Sequence, residues 1–151
     1  MISLKQKIVN ECNILLQQKI VHLKSALALV NEAANNETKS TAGDKHETAK
    51  AMMQLEQEKL SAQLTILNTQ INELQKINCI KVYTQITNGS LVTTSNGILF
   101  IGIGLGKIKI NNEVEVFAIS YLSPLAQVLI NKKVNQTVSM GAINYTINAI
   151  F

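Results

Sequence analysis

Two runs of apolar residues spaced at alternating steps of four and three, one on each side of a polar break, constrain this chain more than any other feature. In the first run Leu16, Ile20, Leu23, Leu27, Val30 and Ala34 follow one another at those steps, and in the second Leu60, Leu64, Leu67, Ile71 and Leu74 do the same. Such alternation draws a narrow apolar stripe along a helix, which is the seam of a coiled coil. A helix cannot bury its own stripe, so two such helices joined by a polar segment fold back and bury each other. The segment from Ser40 to Lys50 then becomes the exposed tip of a hairpin.

The first helix is expected over about Ser3 to Asn36, with Lys and Gln on its outer face. About 33 residues at about 1.5 Å each reach on the order of 50 Å, a length typical of a coiled-coil arm. From Asn35 to Gly43 the residues are those of turns and helix caps. The second helix follows from about Asp44 to Ile77, with acids in its first turn where the helix dipole favours them. His22 has no Cys or carboxylate partner at helical spacing and is given no role.

Past Cys79 the pattern changes to β-branched residues in alternation. Strands are expected at Ile80–Thr84, Leu91–Thr94, Ile98–Ile101, Lys107–Ile110 and Glu113–Ile119, with closing strands near Gln136–Val138 and Asn144–Ile147. Asn88-Gly89, Ser95-Asn96-Gly97 and Asn111-Asn112 supply hairpin turns, and Gly102, Gly104 and Gly106 a bulge or sharp bend. Ser123 as N-cap with Pro124 in the first helical position starts a short amphipathic helix over Leu125 to Asn131. The fold class is therefore α+β. A coiled-coil hairpin occupies residues 1–78, with its tip at about 37–48, and a small antiparallel β domain with one short helix occupies 79–151.

Composition narrows the function classes. The formal charge of +4 is carried by Lys alone, since the chain has no Arg and no Trp. Nucleic-acid readers favour Arg forks with interleaved aromatics, which argues against a dedicated nucleic-acid reader and leaves a protein partner or a crowded anionic setting open. Cys12 and Cys79 form no CxxC or Cys/His cluster and read as reduced structural thiols. No apolar run reaches the roughly 18 residues that span a bilayer, and polar residues follow Met1 too soon for a signal peptide, so a soluble cytoplasmic protein is expected. The glycines at 102, 104 and 106 precede Lys107 but lack P-loop spacing, with Ile101 and Ile108 where Gly and Ser or Thr are needed. The residues after them alternate as a strand, whereas a Rossmann turn opens a helix. Both His lie in the helical half and the β half holds only Glu113 and Glu115 as acids, which leaves no catalytic triad.

That directs attention to Asp44 and Glu47. Three residues apart on a helix, they share a face and could both reach one divalent cation that other groups also hold. They also fit a capping box, with Asp44 at the N-cap and Glu47 reaching back to the backbone. Both readings stand at this point. Two carboxylates do not complete a magnesium site.

Two motifs give the chain a family resemblance. Gly43-Asp44-Lys45-His46-Glu47-Thr48-Ala49 is similar to the GD-x-x-EN-A tip pattern of the Gre-type transcript cleavage factors of bacterial RNA polymerase. The segment from Ile119 to Val134, with Ser120, Ser123-Pro124-Leu125-Ala126, Leu129-Ile130 and Lys132-Lys133, looks like that family's IS-x-x-SP-(I/L)-A-x-x-L-(I/L)-G-KK segment. Their order and spacing fit over nearly the full length. The resemblance implies an FKBP-like C-terminal domain that docks at the rim of the polymerase secondary channel, with Ser123, Pro124 and Leu125 as the docking residues. It implies that the hairpin carries Asp44 and Glu47 to the polymerase active centre, near the RNA 3′ end. There they would help hold a magnesium ion shared with the polymerase and orient the attacking water, which stimulates cleavage of backtracked RNA.

The protein would then be a monomer with no cofactor of its own and no membrane partner, and not itself an enzyme. The family's Asn is Thr48 here, and its following Glu-Tyr is Lys50-Ala51. With Lys39, Lys45 and Lys50 beside Glu37, Asp44 and Glu47, the tip charge is close to balanced. The alternatives are a channel regulator that does not cleave and a coiled-coil adaptor unrelated to transcription. FKBP-like shape carries no implication of prolyl isomerase activity, because Phe100, Phe117, Tyr121 and Tyr145 are too scattered to line such a pocket.

Overall fold

The computed structural model describes residues 2–37 and 43–151, and the side chains of residues 2, 37, 43 and 44 fall outside the description. Two long helices, α1 (Ile2–Glu37) and α2 (Gly43–Gln75), precede β1 (Leu91–Thr94), β2 (Gly97–Gly102), β3 (Gly106–Ile110), β4 (Val114–Ser120), α3 (Pro124–Leu129), β5 (Thr137–Met140) and β6 (Ile143–Ile150). This is the α+β arrangement expected, with two helices followed by a mostly antiparallel sheet and one short helix. Among the described residues no helix is long and apolar enough to cross a membrane. The chain forms two compact units, Met1–Ile14 with Asn72–Phe151, and Leu15–Ile71.

In the Leu15–Ile71 unit the helices run antiparallel and the expected seam is the buried stripe. Leu16 and Ile20 are 0% and 5% exposed, and Leu60, Leu67 and Ile71 are 6%, 9% and 7%. Leu23, Leu27, Val30 and Ala34 continue the stripe on α1 but are only half-buried. On α2 the stripe extends back through Gln57, Met53 and Ala49, also half-buried. The steps from Ala49 to Met53 and from Met53 to Gln57 are both four, which breaks the alternation seen nearer Leu74. At that break the Gln57 amide donates to Asn31 Oδ1 at 2.7 Å, joining the helices through a polar pair.

In the other unit the strand order is β3-β4-β2-β1-β6-β5. β2 and β4 run parallel, Ile98 opposite Val116 through Gly102 opposite Ser120, and every other pairing is antiparallel. A crossover is needed wherever parallel strands adjoin, and β3 with its turns provides it. The Asn111-Asn112 turn has both residues at positive φ, 53° and 58°, the backbone of the tight hairpin that Asn tolerates. α3 packs Ala126 and Leu129 onto one face of the sheet, with Ile86, Val92, Leu99, Ile101, Val138, Ile147 and Ile150. Leu91 and Phe100, opposite each other across β1 and β2, are wholly buried. Ile77, just past α2, packs close to Gly89 and Gly102, where an added Cβ would meet its side chain at 3.2 and 3.3 Å.

The stretch Ile80–Thr84 is not a strand, contrary to its alternating sequence. Its hydrogen bonds go elsewhere. The backbone N–H groups of Ile80 and Lys81 donate to Asn78 Oδ1 at 2.9 and 3.1 Å, an Asx-type turn, and the Lys81 carbonyl accepts from the Lys5 ammonium. Local side-chain partners have replaced the ladder that alternation alone leads one to expect.

Candidate functional site

α2 begins at Gly43, so the backbone of Asp44 lies inside the first helical turn and Glu47 lies three residues further along the same helix. The capping-box reading of the same pair turns on the Asp44 side chain and on residue 42, which lie outside the described residues. Glu47 is exposed, as are Lys45 and Lys50 on either side of it. Residues 38–42, which hold part of the expected tip and Lys39, lie outside the described residues. Among the described residues no three His, Cys, Asp or Glu side chains converge as a metal site. Magnesium demands octahedral oxygen coordination, so the pair Asp44 and Glu47 fits the ion only as a partial donor set completed by another molecule.

The second candidate group is built differently. Ser123 caps α3: its Oγ accepts the Ala126 N–H at 3.2 Å, and Pro124 takes the first helical position, where its missing N–H is no loss. Gln127 Nε2 donates to the Tyr121 carbonyl at 2.7 Å, and the Leu122 N–H donates to Ser120 Oγ at 3.2 Å. This knitting fixes the loop before α3 and leaves Leu122 79% exposed at its crest, with Pro124 exposed beside it. Leu125 turns the other way, into a shallow cleft of about 290 Å³ formed with Leu99, Phe117, Ile119, Ile143 and Tyr145. Thus Ser123 serves the fold, while Pro124 and Leu125 lie on two different surfaces. Leu122 was not singled out from the sequence, although its position between Tyr121 and the N-cap was a readable signal.

Sequence reasoning also missed Lys5. It is wholly buried, its ammonium donating to the carbonyls of Lys81 at 3.2 Å and Phe151 at 3.4 Å and lying 4.6 Å from the Tyr83 ring centroid. Burial holds its pKa below the usual lysine value. Both cysteines are free and buried. Burial, with Glu11 adding to it, pushes the Cys12 thiol up to about 12, and burial raises Cys79 too, against the pull of Lys5. Neither is a nucleophile at neutral pH. Glu115 is held below the usual carboxylate range, first by its hydrogen bond with Lys107 at 2.8 Å.

Compared with known proteins, the chain matches no family model, and no curated protein matches it at a significant level.

Proposed function

We propose that this chain is a bacterial transcription elongation factor that binds RNA polymerase at its secondary channel and stimulates cleavage of backtracked RNA. The observation that carries the proposal is the placement of Asp44 and Glu47 three residues apart in the opening turns of α2, where the two long helices are joined. The tip and SP-segment resemblances add the polymerase as partner. Magnesium, when bound, supplies a Lewis acid at the scissile phosphate and lowers the pKa of attacking water. Asp44 and Glu47 would hold it from the arm side, sharing it with the polymerase. The arm's own contribution is positioning, because a reactive centre completed by two added carboxylates depends on where they are held.

The docking role falls to the loop ahead of α3. Ser123 fixes its shape through the cap, and Pro124 and Leu122 offer apolar surface to the rim of the channel. Exposed Lys45 and Lys50 beside Glu47 favour a second reading, a secondary-channel regulator that alters pausing or initiation without cleavage. A tip of balanced charge attracts a divalent cation less than an acidic one does.

A transcript cleavage assay on stalled, backtracked complexes of the cognate polymerase, over a magnesium titration, separates the two. Shortened RNA that disappears when Asp44→Asn and Glu47→Gln are combined, with polymerase binding retained, is the expected result. Binding without shortening moves the function to the regulator. Normal cleavage by the double variant overturns the assignment of the tip.

A further inference from the structure

Between the Asn31–Gln57 pair and the tip, the seam is closed by small side chains and one methionine. α1 brings Ala34 to this stretch and α2 brings Ala49 and Met53, all half-buried. Among the described residues Met53 is the largest apolar side chain of the seam there. It lies on a groove of about 520 Å³ that Val30, Ala33, Ala49 and Met52 also line. Met52, its neighbour in sequence, is 65% exposed. Nearer the other end of the seam the buried positions are held by Leu16, Leu60 and Leu67, side chains with no atom to oxidise.

We infer that Met53 is an oxidation site, and that converting its thioether to a sulfoxide with hydrogen peroxide opens the tip end of the hairpin. In that step the Met53 sulfur attacks one peroxide oxygen, an S–O bond forms and the O–O bond breaks. The proton of the transferred oxygen passes to the departing hydroxide, which leaves as water. Sulfur gives up two electrons and the peroxide takes them. Two observations support this site. The first is access: the groove admits a small oxidant to Met53, while the thiols of Cys12 and Cys79, ordinarily the first groups to react, are buried and kept protonated.

The second is placement. The other seam positions at this end are Val30, Ala34 and Ala49, and a polar sulfoxide held among them loses its water without gaining a partner. The helices part to hydrate it. Met52 accepts the same oxygen without that effect, because its side chain is already in solvent. The inference does not rest on the polymerase reading. Glu47 lies six residues before Met53, about 9 Å along α2, so if that reading holds, oxidation at Met53 also displaces Glu47 and lowers stimulated cleavage.

Graded hydrogen peroxide treatment of the full chain, followed by peptide mass spectrometry and amide exchange, tests the site. Met52 is expected to gain its oxygen first and Met53 several-fold more slowly, in the order of their exposure. In chains oxidised at Met53, amide exchange in residues 27–34 and 49–57 quickens by about 10-fold, while exchange in β1 and β2 stays as it was. Met53→Leu fills the seam without a sulfur and abolishes the quickening, and Met52→Leu retains it. Methionine sulfoxide reductases of both epimer specificities, supplied with a thiol reductant, return exchange to its starting rate. Met53 left unmodified after Met52 is fully converted, unchanged exchange in chains oxidised at Met53, or quickening that persists in Met53→Leu overturns the inference.

Discussion

In the sheet-containing unit the nine residues packed around α3 are each no more than 9% exposed, and the last strand is tied back by reciprocal backbone bonds between Leu91 and Phe151, both 2.8 Å. Along the hairpin, burial fades. Leu16 is wholly buried, but Leu27, Val30 and Ala34 are half-exposed, and the facing stripe carries Gln57 where a large apolar residue would fill the gap. The difference follows from geometry. A sheet with a helix on it encloses its core from several directions, whereas two helices have one seam and solvent on both sides. Local stability tracks such enclosure, so the part of the chain carrying Asp44 and Glu47 is the part least able to hold itself closed.

The sharpest way to break this contrast is to remove the same kind of group from each region. Leu129→Ala, at a wholly buried position under α3, is expected to lower unfolding free energy by about 3 kcal/mol. Val30→Ala, half-buried in the seam, removes fewer contacts and is expected to lose about 1 kcal/mol or less. Urea titrations of both variants measure the ratio. Equal losses would mean that the seam near the tip is as enclosed as the sheet core.

Lys5→Ala ranks next. The substitution removes a long buried stem, the ring contact with Tyr83 and the donor to the Lys81 carbonyl, and about 2 kcal/mol of destabilisation is expected by denaturant unfolding. The comparison in the hairpin is Lys19→Ala, where the side chain is exposed and monomer stability changes by no more than about 0.5 kcal/mol. An equal effect at the two lysines would show that Lys5 does not act through its buried contacts.

The polar pair in the seam can be tested in the opposite direction. Asn31→Leu with Gln57→Leu replaces a hydrogen bond with apolar contact at the point where the four-three alternation fails, and is expected to stabilise the hairpin by about 1 kcal/mol. Amide exchange in residues 27–34 and 49–57 then slows by about fivefold, while exchange in β1 and β2 stays as it was. Unchanged exchange in the hairpin would place its weakness in the half-buried apolar positions instead of the pair.

Much of this contrast could be read from the chain. The four-three steps located both helices within a residue or two, and Ser123-Pro124 located α3 because a cap and a missing N–H are local chemistry. Asn111-Asn112 announced its turn for the same reason. What stayed hidden depends on distant partners. Lys5 looks like any solvated lysine at the start of a helix, and only Lys81, Tyr83 and Phe151 make it a buried one. Alternation in Ile80–Thr84 promised a strand, but Asn78 captured its first N–H groups. The parallel neighbours β2 and β4 left no trace in either strand's own sequence. At the candidate site, the spacing of Asp44 and Glu47 left a shared cation and a capping box equally open, and only the tip resemblance chose between them, while the crest formed by Leu122 required the hydrogen bonds around α3 to be seen.

The last test is a matter of pH, and it bears on the enclosed end of the first helix. Cys12 is wholly buried, and its thiol is raised from 9.0 to about 12 in the folded chain. Between those values the folded state holds a proton that the unfolded state has released, so the stability it contributes is complete below about pH 9 and is lost as pH rises toward 12. The slope from this group is at most about 1.4 kcal/mol per pH unit. Lys5 works against it: its lowered pKa means the unfolded chain binds more protons below pH 10.5, so stability gains there as pH rises. Cys79, also raised, adds to the alkaline loss. Cys12→Val keeps the volume roughly filled and removes the largest of the three contributions, so its unfolding free energy should decline less between pH 9 and 11 than that of the unsubstituted chain. Identical declines would mean that solvent reaches Cys12 in the native state, and that the enclosure at this end of α1 is no tighter than along the half-buried seam.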